Sequence, residues 1–266
     1  MQIALEDILA TYLNPPLVFG PVHSRRLGIS LGLNLMPGDG KICNFDCIYC
    51  ENGSNAERKT SAAYPKAAEL ADALEKKLRE MAAKDLLPDV ITLAGNGEPT
   101  ANPEFPQVVN AAANLCNQLA PKARLAVLSN GTLAHVPRIH DALLQLDDNI
   151  QKLDTVDMPY IRLVNRPTGS YDVQRVIEAL AAFHGRVIVQ TAFMRGSYRG
   201  QDLDNTTPKY VQPWLEALRY IKPQSATIYA ISRGTPVEGI VHVGPEVLDR
   251  IKSQVEALGI PCTVGY

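Results

Sequence analysis

The sequence predicts an α/β fold, a partial (β/α)6 TIM-like barrel of parallel strands covered by helices. Three observations carry this expectation. Short runs rich in Val, Ile and Leu recur along the chain, amphipathic segments of helical period lie between them, and no internal repeat, low-complexity tract or long linker breaks the alternation. Near-continuous apolar strands are those that helices cover on both faces, as in parallel sheets. The count is roughly six βα units, two short of the eight that close a full barrel, and a doubly wound sheet stays open on the same evidence.

The strands are read in order at Gly28–Met36 (GISLGLNLM), Asp89–Gly95 (DVITLAG), Arg124–Ser129 (RLAVLS), Lys152–Met158 (KLDTVDM), Arg186–Phe193 (RVIVQTAF) and Ala226–Ile231 (ATIYAI). The terminal IPCTVGY also reads as a strand. Between them, Leu70, Leu74, Leu78 and Met81 keep one helical face, as do Val108, Ala112, Leu115 and Leu119, then Val173, Val176, Ile177 and Leu180, and last Leu248, Ile251, Val255 and Leu258. Cys116 shares the second of these faces and reads as a small buried hydrophobe. In either α/β architecture ligands collect at the carboxyl ends of the strands, so the loop after the first strand is the place to look for chemistry.

The chain has 266 residues, 46% hydrophobic and 20% charged, which is enough to bury a substantial core. The expected organisation is a single domain over 1–266, with 1–27 as an N-terminal extension. A net charge of −2 gives no whole-surface pull on nucleic acid or acidic membranes. The first residues, MQIALEDILATYLNPP, lack the basic and apolar regions of a signal peptide. No apolar run reaches the roughly 18 residues of a membrane span. Five cysteines make poor material for a disulfide framework, so the expected compartment is the reducing cytoplasm.

Three of those cysteines, Cys43, Cys47 and Cys50, fall inside CNFDCIYC, directly after the first strand. Iron–sulfur clusters are held by cysteine thiolates, commonly four. Three thiolates leave one position open, the mark of a catalytic rather than a structural metal site. A zinc site completed by His23 or by a partner chain is the alternative, although zinc knuckles more often pair Cys-x2-Cys units.

The Cys-x3-Cys-x2-Cys spacing after the first strand of a βα series resembles the radical S-adenosylmethionine (radical SAM) superfamily. The resemblance implies that Cys43, Cys47 and Cys50 hold a [4Fe–4S] cluster whose fourth iron is chelated by the amino and carboxylate groups of SAM. It also implies that an electron from the cluster cleaves SAM to methionine and a 5′-deoxyadenosyl radical, which abstracts a substrate hydrogen. Tyr49 then lies beside the adenine.

LAGNGEPT (Leu93–Thr100) is similar to the superfamily's Gly-Gly-Glu-Pro segment, which binds the SAM amino group; Gly97, Glu98 and Pro99 match, and Asn96 stands in place of the first glycine. LSNGT (Leu128–Thr132) resembles the Asn-Gly-Thr turn after the third strand and adds Asn130. Asp154, in KLD, is the choice for a ribose or carboxylate contact, with a residue hydrogen-bonded to its own loop as the alternative. Gln190, inside VIVQTAF, either faces the barrel interior and the nucleoside or is a satisfied core amide.

FGPVHSRRLGISLGLNLMP (Phe19–Pro37), GNGEPT and VNRPTGSYDVQRVIEAL (Val164–Leu180) together resemble a bacterial branch grouped with the tRNA wybutosine-synthesis enzymes. Those enzymes carry additional cysteines or a flavodoxin-like domain, and neither is present here. Arg166 is a candidate for an anionic group of SAM or substrate. Arg25 and Arg26 are candidates for such a group as well, with the favoured reading that they pair with carboxylates at the barrel base and that Arg26 serves mainly the fold.

The implied activity is that of a radical SAM enzyme of Fe–S oxidoreductase type, acting on an RNA base or a small molecule, with a reductase as electron donor and no membrane partner. No catalytic side chain is assigned. The alternatives are an activase installing a radical on a partner protein and a non-catalytic RNA-binding module, which the net charge does not favour.

Overall fold

The computed structural model describes residues 11–24, 28–232 and 234–266. Arg25 and Arg26 lie outside the described residues. The chain divides into two compact units. One comprises Leu13–Cys43 and Arg58–Gln151; the other comprises Asn44–Glu57, Lys152–Tyr266 and the described residues up to Tyr12.

The first unit runs β1 (Val18–Ser24), β2 (Gly28–Asn34), α1 (Ala67–Ala82), β3 (Val90–Ala94), α2 (Phe105–Leu119), β4 (Arg124–Ser129), α3 (Pro137–Leu143) and β5 (Asp148–Lys152). Its strands lie in chain order; β1 pairs antiparallel with β2, and β2 to β5 are parallel. The register sets Asn34 opposite Ala94, Leu93 opposite Val127 and Ser129 opposite Gln151. The loops that follow β2, β3 and β4 therefore leave from one edge.

Helix α1 buries Leu70, Leu74, Leu78 and Met81, the stripe the sequence shows. Its first turn is tied down by side chains: Glu69 accepts from the Lys66 amide at 2.8 Å and Glu104 from the Ala67 amide at 2.7 Å. Cys116 is buried in α2, its thiol 3.1 Å from the Ala123 carbonyl.

The second unit runs α4 (Met158–Val164), α5 (Val173–Ala181), β6 (Ile188–Phe193), β7 (Arg195–Tyr198), β8 (Gln201–Asp202), α6 (Pro208–Ile221), β9 (Ser225–Ala230), β10 (Ile240–Val241), α7 (Pro245–Glu256) and β11 (Cys262–Gly265). β6, β9 and β11 are parallel neighbours, and β7 pairs antiparallel with β8 and β10 in a small sheet. The strands β2, β3, β4 and β5 are each followed by a helix, as the alternation predicts, whereas β7 and β8 come between β6 and α6, and β10 comes between β9 and α7.

One strand differs from expectation. The fourth parallel strand is Asp148–Lys152 rather than Lys152–Met158, so Asp154 falls beyond its end. The segment DNIQK is polar yet buried, which hides it from an apolar-run reading. Its polar groups are only partly met: Arg124 pairs with Asp148 and Gln151 donates to Asn149 at 2.6 Å, while Asp148 Oδ2 and Gln151 Oε1 are buried without a hydrogen-bond partner among the described residues. β1 also went unread, because its residues alternate around Gly20 and Pro21 without an apolar run.

Trp214 of α6 fixes the packing beneath the second unit's strand ends. It is 1% exposed, meets the Phe193 ring edge-on at 5.6 Å, and donates its indole N–H to the Leu153 carbonyl at 3.0 Å. Trp214→Ala is expected to cost about 3–5 kcal/mol, measured by urea unfolding, since it opens a cavity and orphans that carbonyl. A loss below about 1 kcal/mol, the size of one ordinary net hydrogen bond, would contradict this placement.

Candidate functional site

The cysteine loop crosses from one unit to the other, Cys43 closing a segment of the first and Cys47 and Cys50 lying in the second. Cys47 is buried, whereas Cys43 and Cys50 are half-buried. Burial pushes the Cys47 thiol up to about 11, against the pull of the Lys152 ammonium. Two sulfurs receive amide N–H groups. Asn130 Nδ2 lies 3.8 Å from Cys43 Sγ within the first unit, and Asn165 Nδ2 lies 3.7 Å from Cys47 Sγ within the second.

Soft thiolates supported by N–H donors suit an iron–sulfur cluster, whose properties depend on hydrogen bonds to sulfur. Among the described residues no group of three or more His, Cys, Asp or Glu side chains is gathered for a single metal ion.

In the first unit, the β3–α2 loop is built around a close backbone approach. Ile42, next to Cys43, donates to the Asn96 carbonyl at 3.0 Å and accepts from the Glu98 amide at 3.1 Å. A Cβ on Gly97, at φ 139°, would sit 1.8 Å from the Ile42 oxygen, so only glycine fits. The Asn96 side chain is fully buried and already engaged, donating to the Asn14 and Pro37 carbonyls at 3.1 and 3.0 Å and accepting from the Asn14 amide at 2.7 Å. That explains an asparagine where the resembling family has glycine: its amide braces the N-terminal segment.

Glu98 is 2% exposed and accepts four hydrogen bonds. Thr100 N and Oγ1 and Ser129 Oγ donate to one oxygen at 3.1, 2.6 and 2.8 Å, and the Asn130 amide donates to the other at 2.7 Å. Burial pushes its carboxyl above the ordinary 4.5, only partly offset by those donors. Glu98 thereby holds Asn130, whose side chain turns to Cys43.

In the second unit, Asp154 is the hub. Its side chain has no solvent exposure. One oxygen accepts from the Ala192 amide at 2.8 Å and lies 3.5 Å from Lys152 Nζ; the other accepts from the Tyr49 hydroxyl and from Asn165 Nδ2, the latter at 2.8 Å. Lys152 lies over the Tyr49 and Tyr229 rings at 5.1 and 5.7 Å and donates to Tyr229 Oη at 3.3 Å. Burial opposes its ammonium, yet Asp154 and Tyr229 outweigh burial and hold its pKa above the ordinary lysine value. Tyr49, against Cys47 and Asp154, is raised by burial first and by Asp154 second.

Tyr49 and Asp154 are thus brought together as neighbours of Cys47. Gln190 is half-buried on β6, its carbonyl accepting from the Leu153 amide at 3.0 Å. Arg166 is drawn to Asp46: its guanidinium pairs with the Asp46 carboxylate, donates to the Asp46 carbonyl at 2.8 Å, and reaches Tyr198 Oη at 3.3 Å. Lys152, Asn165, Asp46 and Tyr229 escaped the sequence reading. All four sit inside segments it singled out: Lys152 in KLDTVDM, Asn165 in VNRPTGSYDVQRVIEAL, Asp46 in CNFDCIYC and Tyr229 in ATIYAI.

A family model described as the radical SAM superfamily matches residues 39–201, more than half of the chain. A "UPF0026 protein" of Helicobacter pylori is 32% identical over 187 residues, covering 69% of this chain and 58% of that protein. The chain thus spans little more than half the length of that curated relative. A radical SAM methyltransferase from Sphaerobacter thermophilus has a TM-score of 0.65 at 17% identity, over 89% of this chain and 66% of that one. SuiB of Streptococcus suis, solved bound to S-adenosylmethionine, has a TM-score of 0.59 at 15% identity, over 88% of this chain and 49% of that one. These likenesses support the α/β class of mostly parallel strands flanked by helices. Among the described residues no helix is long and apolar enough to cross a membrane.

Because Glu98 is raised in the folded protein, its stabilising contribution is complete below 4.5 and is lost as pH rises through the folded value. Urea unfolding of wild type and Glu98→Gln is expected to show the wild-type advantage shrinking as pH rises above 4.5. An advantage that grows with pH would mean that the four donors dominate burial.

Proposed function

The chain belongs to the radical SAM superfamily, whose members use a [4Fe–4S] cluster and S-adenosylmethionine, and from that premise we propose that it is an enzyme that cleaves SAM reductively to abstract a hydrogen from its substrate. The observation that carries the reading is the CNFDCIYC loop, with three thiols, two of them met by amide N–H donors, and no fourth cysteine nearby. Cys43, Cys47 and Cys50 would hold the cluster. When bound, the cluster supplies the electron that splits SAM into methionine and a 5′-deoxyadenosyl radical.

The protein's own residues prepare for this. Asn130 and Asn165 direct N–H groups at two sulfurs, and the Asn165 bond works against the rise that burial gives Cys47. Gly97 and the backbone about Asn96 and Glu98 are assigned to the SAM amino group on the resemblance of LAGNGEPT to the superfamily's Gly-Gly-Glu-Pro segment. Tyr49, Asp154 and Gln190 are assigned to the adenosine. Lys152, 3.5 Å from Asp154, helps to fix that carboxylate in place.

The substrate is assigned only by class, as an RNA base or a small molecule, on the resemblance to the wybutosine-grouped branch. A reductase of the reducing cytoplasm would be the electron donor. We read residues 1–266 as one functional domain.

Anaerobic reconstitution is expected to load about four irons and four sulfides per chain and to yield 5′-deoxyadenosine from SAM once a reductant is added. Full cluster occupancy in a Cys43→Ala, Cys47→Ala, Cys50→Ala triple variant would sink the assignment. Substituting Cys116 should leave iron content unchanged.

A ligand that prefers the loaded state stabilises that state by mass action. SAM is therefore expected to raise the melting temperature of reconstituted protein far more than that of apoprotein, and Asp154→Ala to weaken the effect without removing iron. Equal stabilisation of both forms would point to a conventional SAM-binding protein.

A further inference from the structure

The segment VNRPT, Val164–Thr168, lies along the cysteine loop as a short antiparallel partner. The Ile48 amide donates to the Val164 carbonyl at 2.9 Å, the Asp46 amide is shared by the Asn165 and Arg166 carbonyls at 3.0 and 3.2 Å, and the Thr168 amide donates to the Asn44 carbonyl at 2.9 Å. Phe45 and Pro167 form an antiparallel bridge, and Phe45 meets Tyr171 edge-on at 5.2 Å. Residues 44 to 48 thus have their backbone matched in register by 164 to 168, all within one compact unit.

Arg166 closes this pairing. It follows the last residue of α4 by two positions and stands at φ 48°, a left-handed conformation usual for glycine at a helix end. A glycine would meet the backbone requirement with less strain, so the arginine side chain must serve another purpose. Its Nε donates to the Asp46 carbonyl at 2.8 Å while its terminal nitrogen pairs with the Asp46 carboxylate. The other Asp46 oxygen accepts from the Asn55 amide at 2.7 Å, and Asn55 Nδ2 donates to the Phe45 carbonyl at 3.1 Å. One carboxylate therefore joins the helix end to both limbs of the loop.

Asn165 occupies the position facing the sulfur. The Tyr49 hydroxyl spends its proton on Asp154, and one Asn165 N–H goes to the same carboxylate at 2.8 Å. Its second N–H is left for Tyr49 Oη at 3.0 Å and Cys47 Sγ at 3.7 Å.

We propose that Val164–Thr168 is a clasp that fixes the Asn44–Cys50 part of the cysteine loop in its ligating shape before any cluster binds, with Arg166 and Asp46 as its latch. Arg166 is thereby a positioning residue for the loop rather than a contact for SAM. The functional meaning rests on the cluster reading above, but the clasp itself is a property of the cluster-free chain. An organised loop loses less conformational entropy on binding its group and gives it up more slowly.

Hydrogen exchange on apoprotein, followed at the Asp46 and Ile48 amides, tests this directly. Arg166→Ala is expected to speed exchange at both by about tenfold or more, while amides of β9 stay at the wild-type rate, the signature of local opening. Asp46→Asn should do the same, and the double variant should add little to either, because the two share one interaction. Arg166→Lys keeps the charge but not the two-pronged geometry, so it should fall between wild type and Arg166→Ala.

After reconstitution, Arg166→Ala is expected to release iron to a chelator faster than wild type, again by about tenfold, as an opened loop would. Unchanged exchange at Asp46 and Ile48, fully additive variants, or equal iron release would each overturn the clasp. Should Arg166→Ala fail to fold, Arg166→Lys and Asp46→Asn carry the same comparison. Failure of the wild-type protein to take up iron would sink the cluster reading, and the apoprotein exchange would still decide the clasp.

Discussion

A carboxylate with no solvent exposure sets the terms for one half of this molecule. Asp154 is ionisable, its side chain is completely buried, and it stands two residues beyond the end of β5. Moving such a charge out of water is unfavourable by several kcal/mol unless neighbours compensate. The compensation comes from Lys152, the Tyr49 hydroxyl, the Asn165 amide and the Ala192 backbone N–H. Those four groups belong to the end of β5, the cysteine loop, the cap of α4 and strand β6. Each element is thus held where the carboxylate needs a donor, and Cys47 is placed as a consequence.

The first unit solves a similar problem with Glu98. Four donors converge on its buried carboxylate, and two of them come from Ser129 and Asn130 at the end of β4. The close passage of Ile42 over Gly97 adds a steric constraint that hydrogen bonds alone would not impose. In both units a buried acid organises an asparagine whose side-chain amide is directed at a cysteine sulfur. Hydrogen bonds to sulfur are among the influences that tune iron–sulfur potentials, so the two asparagines sit at positions of chemical consequence.

Much of this was legible in the sequence. Helical stripes such as Leu70, Leu74 and Leu78 declare themselves because burial has the period of the helix. The cysteine spacing names candidate ligands because the chain itself holds the three thiols close. What stayed hidden depends on partners distant in sequence. β5 was misplaced because Asp148, Asn149 and Gln151 are buried against partners such as Arg124, and a polar run gives no apolar signal. Asn96 looked like a lapse from a glycine motif, whereas its side chain bonds Asn14, 82 positions away. Arg166 looked available for an anion because nothing in VNRP reveals an aspartate 120 positions earlier. Lys152 and Asn165 were visible as residues, but their roles exist only once Asp154 is folded between them.

The central claim is that Cys43, Cys47 and Cys50 hold one polynuclear iron centre with a position left for another ligand. Crystals of anaerobically reconstituted protein, measured on both sides of the iron absorption edge, test it most directly. The account predicts a compact group of iron peaks in which each of the three sulfurs ligates a different iron and one iron has no protein ligand. A single metal peak shared by all three sulfurs, or iron bound away from Cys47, would contradict it.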